Sequence, residues 1–183
     1  VRGFHDQAMQ NWKIYPSFLK RLFTRSFTIG LKNPDQRVKE GEWISALSKL
    51  RDSLYHCSHC GCPNFFDFEA HDNGVHQNCW RCKKQSVLPI QLKIGDRKII
   101  CHHKAKIYPH HLGLRLDFSK PVAQITQHPH NPKKWGLQNC SSVEWGCVTQ
   151  DGRSIVVPST RSVPLIHGLK INFGSVEGQL LAK

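Results

Sequence analysis

Apolar residues recur at helical spacing only in the first third of the chain. Phe18, Leu19, Leu22, Phe23 and Phe27 fall broadly on one helical face, with Ser17 as the expected N-cap and Gly30 as the expected stop. Asn33-Pro34-Asp35 reads as a turn. A second helix is expected behind it, with Trp43, Leu47, Leu50 and Leu54 on one face. Glu40 and Glu42 lie near its start, where the helix dipole favours carboxylates. Two helices cannot enclose a core, so their apolar faces need the β region behind them or a further body.

Past residue 54 the helical period stops. Residues 55–88 are dense in cysteine and hold Gly61, Pro63, Asn64, Asn73 and Gly74, which predicts short ribbons and turns held by something other than a core. From residue 89 the pattern becomes short apolar runs between turn signals. Ile90 to Ile94 and Lys98 to Cys101 flank Gly95-Asp96, and Trp145 to Thr149 and Ile155 to Val157 flank Asp151-Gly152. Val122 and Ile125 mark another run, and Val163 to Leu165 and Ile171 to Phe173 flank His167-Gly168. The prediction is an α+β multi-module chain: helices over 1–54, a ribbon over 55–88 and an antiparallel β-sandwich or barrel over 89–183.

Cysteine spacing says what holds the middle segment. Cys57-x2-Cys60 and Cys79-x2-Cys82 form two knuckles that present four thiolates, the number a tetrahedral Zn²⁺ takes. Cys57, Cys60, Cys79 and Cys82 are therefore the expected ligands of a structural Zn²⁺ in a zinc ribbon. Four protein ligands leave no open position for water, so the site is structural and not catalytic. Two disulfides would need an oxidising compartment, iron–sulfur spacings differ, and a thioredoxin motif would need a βαβ context. Cys62, His56, His59, His71 and His76 are competing ligands by position. Cys62 is read as a small buried side chain, as are Cys101, Cys140 and Cys147, whose spacing forms no metal pattern.

Charge changes the picture of partners. The chain has 26 Lys+Arg against 13 Asp+Glu, net +13. Split by segment, this is +5 over 1–54, zero over 55–88 and +8 over 89–183. The ribbon, the part most often associated with nucleic acid, is the neutral one, and no long block of like charge appears. A nucleic-acid-binding module is thus the alternative and a protein-interaction module the main reading. No apolar run approaches the roughly 18 residues of a membrane span. A cytoplasmic chain is expected, and one beginning at Val1 reads as a fragment of something longer. Gly-x-Ser-x-Gly, His-Glu-x-x-His and the phosphate-binding Gly-x-x-x-x-Gly-Lys-Ser/Thr are all absent. The pairs His102-His103 and His110-His111 lack convincingly spaced carboxylate partners. Nothing forms a catalytic set, so the chain is read as a non-enzymatic module. Trp12, Trp80 and Trp135 are candidate anchors for a partner.

Two resemblances give this reading a context. Tyr15-Pro16-Ser17-Phe18-Leu19, Asn33-Pro34-Asp35-Gln36-Arg37-Val38 and Glu42-Trp43 resemble the last two helices of a protein-kinase C-lobe. Arg37 matches the Arg that is buried there and paired with a Glu after the activation segment. The chain holds no Gly-rich loop, Val-Ala-Ile-Lys, His-Arg-Asp or Asp-Phe-Gly, so the resemblance implies a non-catalytic tail. The order of helices, ribbon (with Cys79-Trp80) and β segment (with Leu116-Asp117-Phe118-Ser119-Lys120-Pro121) resembles bacterial serine/threonine kinases associated with tellurite resistance. That family implies a von Willebrand factor A-type protein and a metal-dependent protein phosphatase as partners.

The β segment resembles a forkhead-associated (FHA) sandwich. Leu92-Lys93-Ile94-Gly95 is similar to its opening strand, Gly136-Leu137-Gln138-Asn139 to its Leu-x-Asn strand end, and Leu165 to Gly174 to its closing strands. The resemblance implies phosphothreonine-peptide or partner contacts at Arg97, His111, Asn139 and Trp135. It departs from the family at two places. Gly95 is followed by Asp96, with Arg97 one later, and Tyr108 stands where a Ser is expected.

Overall fold

The computed structural model describes residues 5–181. The chain forms two compact units, residues 1–87 and 88–183.

The first unit opens with helices α1 (Asp6–Trp12), α2 (Ser17–Phe27), α3 (Ile29–Lys32) and α4 (Glu40–Asp52), with a 3₁₀ turn at Pro34–Gln36. Pro16, in extended backbone, takes the N-cap of α2, so Ser17 is its first helical residue and not its cap. Proline has no hydroxyl or carboxylate to satisfy the orphan N–H groups, and that task falls to Asp67. Gly30 does not end α2 but lies inside α3. A Cβ there would meet the Arg25 carbonyl oxygen at 3.1 Å and Arg37 Cα at 3.3 Å. Arg37 is exposed, and its Nε donates to the Gly30 carbonyl at 3.1 Å.

The Glu42 carboxylate accepts the Lys39 backbone N–H (3.0 Å) at the start of α4 and both oxygens accept from Arg25 Nη2 of α2 (2.5 and 2.6 Å). Between α2 and α4 lies a small apolar cluster of Phe18, Leu19 and Ala46, backed by the partly buried Tyr15, Leu22, Trp43 and Leu50. The expected apolar face is covered only in part: Phe23, Phe27 and Leu47 stay exposed. Leu54 leaves the helical pattern and starts strand β1 (Leu54–His56), which pairs antiparallel with β2 (Pro63–Phe65). A short helix, α5 (Phe68–Asp72), follows.

The second unit is a two-sheet antiparallel sandwich. Its strands are β3 (Gln91–Ile94), β4 (Arg97–Ile100), β5 (Lys106–Ile107), β6 (Ala123–His128), β7 (Asn131–Asn139), β8 (Trp145–Val148), β9 (Ser154–Val157), β10 (Ser162–Pro164), β11 (Lys170–Asn172) and β12 (Glu177–Leu181). They order as β4-β3-β12-β11-β8-β9 in one sheet and β10-β7-β6-β5 in the other. The opening strand β3 therefore lies beside the last strand, β12. Alternate side chains face a shared core that includes Leu92, Ile99, Ile125, Leu137, Trp145, Ile171 and Leu180. Gly95-Asp96 and Asp151-Gly152 mark hairpins, as the turn chemistry predicts. His167-Gly168 does not: β10 and β11 belong to different sheets, so this turn carries the chain across the sandwich. Among the described residues no helix is long and apolar enough to cross a membrane.

Candidate metal centre and binding residues

The β1–β2 hairpin carries the first knuckle in its loop. The Cys57 N–H donates to the Cys62 carbonyl, and the Gly61 N–H to the Cys57 carbonyl, each at 2.9 Å. The second knuckle repeats this: Cys79 N–H donates to Lys84 C=O, and Lys83 N–H to Cys79 C=O, again at 2.9 Å. In both, the residue four after the first cysteine has positive φ, Gly61 at 68° and Lys83 at 63°. The same backbone fold thus presents both Cys-x2-Cys pairs.

The four Sγ atoms of Cys57, Cys60, Cys79 and Cys82 lie within 4.8 Å of one another and could hold a metal ion. Cys57 Sγ is 3.6 Å from Cys82 Sγ, and Cys60 Sγ is 3.7 Å from Cys79 Sγ. A Zn–S bond of about 2.3 Å sets tetrahedral S···S edges of about 3.8 Å, so the spacing fits that ion. It is far beyond a disulfide bond of about 2.05 Å, and all four thiols are free. Cys62 is buried, its Sγ 3.6 Å from the Pro63 carbonyl, and lies outside the group. His59 faces Gln85, with Nε2 3.0 Å from that carbonyl.

Outer partners orient the sulfurs. Cys57 Sγ accepts from Ser86 Oγ at 3.0 Å and from the His59 N–H at 3.4 Å. Asn64, buried, donates from Nδ2 to Cys79 Sγ at 3.5 Å and accepts the Trp80 N–H at 3.1 Å. The Ser86 hydroxyl leads the backbone N–H groups of His59 and Cys60 in holding the Cys57 thiol down to about 5. At Cys60 the Cys62 N–H favours the thiolate, but burial and the sulfurs of Cys79, Cys57 and Cys82 push the thiol up to about 12. Four such sulfurs cannot all ionise without a cation among them. The spacing of the cysteines points to the ligands. Ser86 and Asn64 carry no sequence signal, because only the folded ribbon brings them to the sulfurs.

The candidate contacts on the sandwich fall in separate settings. Arg97 is exposed, directly after the Gly95-Asp96 turn. His111 is buried in a 3₁₀ turn (Pro109–Leu112), and its Nδ1 accepts the Tyr108 N–H at 2.8 Å. Asn139 is fully buried at the end of β7. Its Nδ2 donates to the carbonyls of Val143 (2.7 Å) and Val157 (3.0 Å), and its Oδ1 accepts from Ser141 N and Oγ (2.9 and 2.7 Å). Trp135 packs half-buried on the core, with the His103 ring edge-on at 5.2 Å. Trp12 and Trp80 are exposed, Trp80 donating from Nε1 to the Pro63 carbonyl at 2.8 Å.

No family model and no curated protein matches the chain. Among solved structures it is similar to the MEK1 FHA domain, crystallised with a HOP1 phosphothreonine peptide, at 13% identity and a TM-score of 0.36. The match covers 53% of this chain and 99% of that one.

Proposed function

We propose that the chain is a non-catalytic, protein-recruiting region in which a structural Zn²⁺ braces the first unit and an FHA-like sandwich forms the second. The observation that carries the zinc reading is the pair of matched knuckles that bring four sulfurs to tetrahedral spacing. When bound, the ion supplies a fixed cross-link between the two knuckles; Cys57, Cys60, Cys79 and Cys82 would hold it, with Ser86 and Asn64 fixing two of the sulfurs. The FHA-like reading is supported by the positions of the resembling segments: the opening strand β3 beside β12, and the Leu137-x-Asn139 end at the close of β7.

The parent protein in this reading is a serine/threonine kinase of the tellurite-resistance-associated type. The recruited partners are a von Willebrand factor A-type protein and a metal-dependent phosphatase. Sequence resemblance supports this part. Phosphothreonine binding is the second reading, and it faces a specific difficulty: Asn139 has its amide fully engaged inside the fold, and His111 is buried.

Elemental analysis should find about one zinc per chain, kept in Cys62→Ser and lost in Cys79→Ser. A metal-free folded chain would overturn the zinc reading. Pull-down with the whole chain should capture a specific protein, and capture of nucleic acid alone would overturn the recruiting role. Calorimetry with a phosphothreonine peptide library, repeated with Arg97→Ala, tests the second reading.

A further inference from the structure

The four sulfurs of the ribbon differ in access and in hydrogen bonding. Cys57 and Cys79 are buried, Cys82 is half-buried beside them, and Cys60 is exposed. Side-chain donors sit on the buried pair. Cys57 Sγ accepts the Ser86 hydroxyl at 3.0 Å and the His59 N–H at 3.4 Å, and Cys79 Sγ accepts the Asn64 amide at 3.5 Å. Cys60 Sγ accepts a backbone N–H, that of Cys62, and among the described residues no side-chain hydroxyl or amide donates to it. With an ion bound, coordinating thiols are deprotonated outright, so access and support are what distinguish the four. Donors that stabilise a thiolate also lower its nucleophilicity, which leaves Cys60 both more reachable and more reactive than Cys57 and Cys79. Cys82 is the competitor, and its burial sets it behind Cys60. Across the knuckles Cys60 Sγ faces Cys79 Sγ at 3.7 Å. An accessible sulfur with a second sulfur in front of it is the arrangement of an oxidant-reactive cysteine and its resolving partner. Cys140 is also exposed, but its Sγ lies 3.8 Å from the Gln138 carbonyl and not against a thiol.

We propose that Cys60 is a peroxide-reactive modification site whose oxidation closes a disulfide to Cys79 and opens the metal centre. The proposal rests on the zinc reading and makes no use of the sandwich. In the first step the Cys60 thiolate attacks one oxygen of hydrogen peroxide. The O–O bond breaks, an S–O bond forms, and hydroxide leaves. In the second step the Cys79 thiolate attacks the sulfenic sulfur of Cys60. The S–O bond breaks, the S–S bond forms, and a second hydroxide leaves. Two thiolates together lose two electrons, and the peroxide gains them as it becomes two hydroxides. Closing 3.7 Å to a disulfide bond of about 2.05 Å asks the knuckles to approach by less than about 2 Å. Cys57 and Cys82 alone cannot complete a tetrahedral set, so the site no longer holds its ion. Peroxide then acts on the first unit, whose bracing the ion supplies.

The test uses the whole zinc-loaded chain and an excess of hydrogen peroxide. Zinc release is followed with a chromogenic chelator, and the cysteines are then mapped by mass spectrometry without reduction. The unaltered chain should release about one zinc per chain as a Cys60–Cys79 disulfide forms. Trapping early in the reaction with a 1,3-diketone, which captures sulfenic acids, should mark Cys60 before the other ligands. Cys60→His keeps four ligands without the exposed thiolate and should release zinc at least about tenfold more slowly. Cys62→Ser and Cys140→Ser should release it within about twofold of the unaltered rate. If Cys60→His binds no zinc, the trapping and the disulfide map of the unaltered chain decide alone. First marking at Cys82, a disulfide from Cys57 to Cys82 formed ahead of Cys60 to Cys79, equal release by Cys60→His, or zinc kept throughout would overturn the proposal. The two readings fail separately: a folded chain that holds no zinc before peroxide is added sinks the zinc reading, and a loaded chain that is never marked at Cys60 sinks this site alone.

Discussion

At the scale of single residues, Asp67 shows how much one carboxylate can organise. Its Oδ1 accepts the Ala70 N–H (3.1 Å) and so caps α5, while its Oδ2 accepts the Ser17 N–H (2.6 Å), the start of α2 fifty positions earlier. Gln77 holds its backbone from both sides, accepting the Asp67 N–H at 2.8 Å and donating to the Asp67 carbonyl at 2.6 Å. Burial raises the Asp67 pKa, but the Ser17 and Ala70 N–H groups outweigh it, so the net shift is downward. A lowered folded-state pKa means stability present above the unfolded value and lost as pH falls through the folded one. Asp67→Asn should therefore cost about 1–2 kcal/mol at neutral pH and flatten the acid limb of a pH–stability curve measured by urea melts. An unchanged acid limb would remove Asp67 from this role. Ser86 acts on the metal ligands in the same local way. Ser86→Ala should weaken zinc about tenfold in chelator competition while leaving one ion per chain, because the ligands stay and only their support goes.

At the scale of elements, the two knuckles meet one backbone requirement with different residues. Gly61 adopts positive φ at no steric cost, whereas Lys83 adopts it against its own Cβ. Gly61→Ala should thus lower the first unit's stability by about 1 kcal/mol, and Lys83→Gly should leave it equal or slightly higher. A large loss in Lys83→Gly would mean that the lysine side chain, which donates to the Trp80 carbonyl, matters more than the backbone. Gly178 in β12 has a different reason to be glycine. A Cβ there would stand 3.0 Å from Ile94 Cγ1 and Phe173 Cε2 and 3.1 Å from the Lys93 carbonyl, so Gly178→Ala should cost about 1–3 kcal/mol in thermal melts. These elements also show what could be read in advance. The Cys-x2-Cys pairs and the Gly95-Asp96 and Asp151-Gly152 turns depend on neighbours in sequence, and they were legible. The first half of strand β7 was not: Asn131 to Trp135 includes proline and two lysines, and pairing with β6 overrides that composition. The cap of α2 was missed for the same kind of reason, since its carboxylate comes from fifty residues away.

At the scale of the whole molecule, the two units are stabilised by different physics. The sandwich buries a continuous apolar core between two sheets. The first unit buries three apolar residues between its helices, the aromatic trio Tyr55, Phe66 and Phe68 beside the ribbon and a separate cluster of cysteines, and adds polar clips such as Arg21 on Glu69 at 2.7 Å, an exposed pair worth little by itself. These small separate clusters leave a large share of its stability to the proposed metal, since binding energy at a structural site is folding energy. With four thiolates and one Zn²⁺ counted, the formal charge drops from +13 to about +11, and the ribbon becomes the acidic part of a basic chain. Removing zinc should act on one unit only. Amide exchange followed by mass spectrometry with and without a strong chelator should show protection lost over residues 17–86 and kept at Leu92, Ile99, Ile171 and Leu180. The chelated chain should still show one cooperative thermal transition, that of the sandwich. Loss of protection in both units together would mean that the sandwich core does not sustain its own fold, and protection kept in both would mean that the helices and ribbon hold without the ion. Readdition of zinc should restore protection first around Cys57 and Cys79, whose N–H groups close the knuckles, and then along α2, because the Asp67 cap forms only once β2 is in place to carry the chain to it.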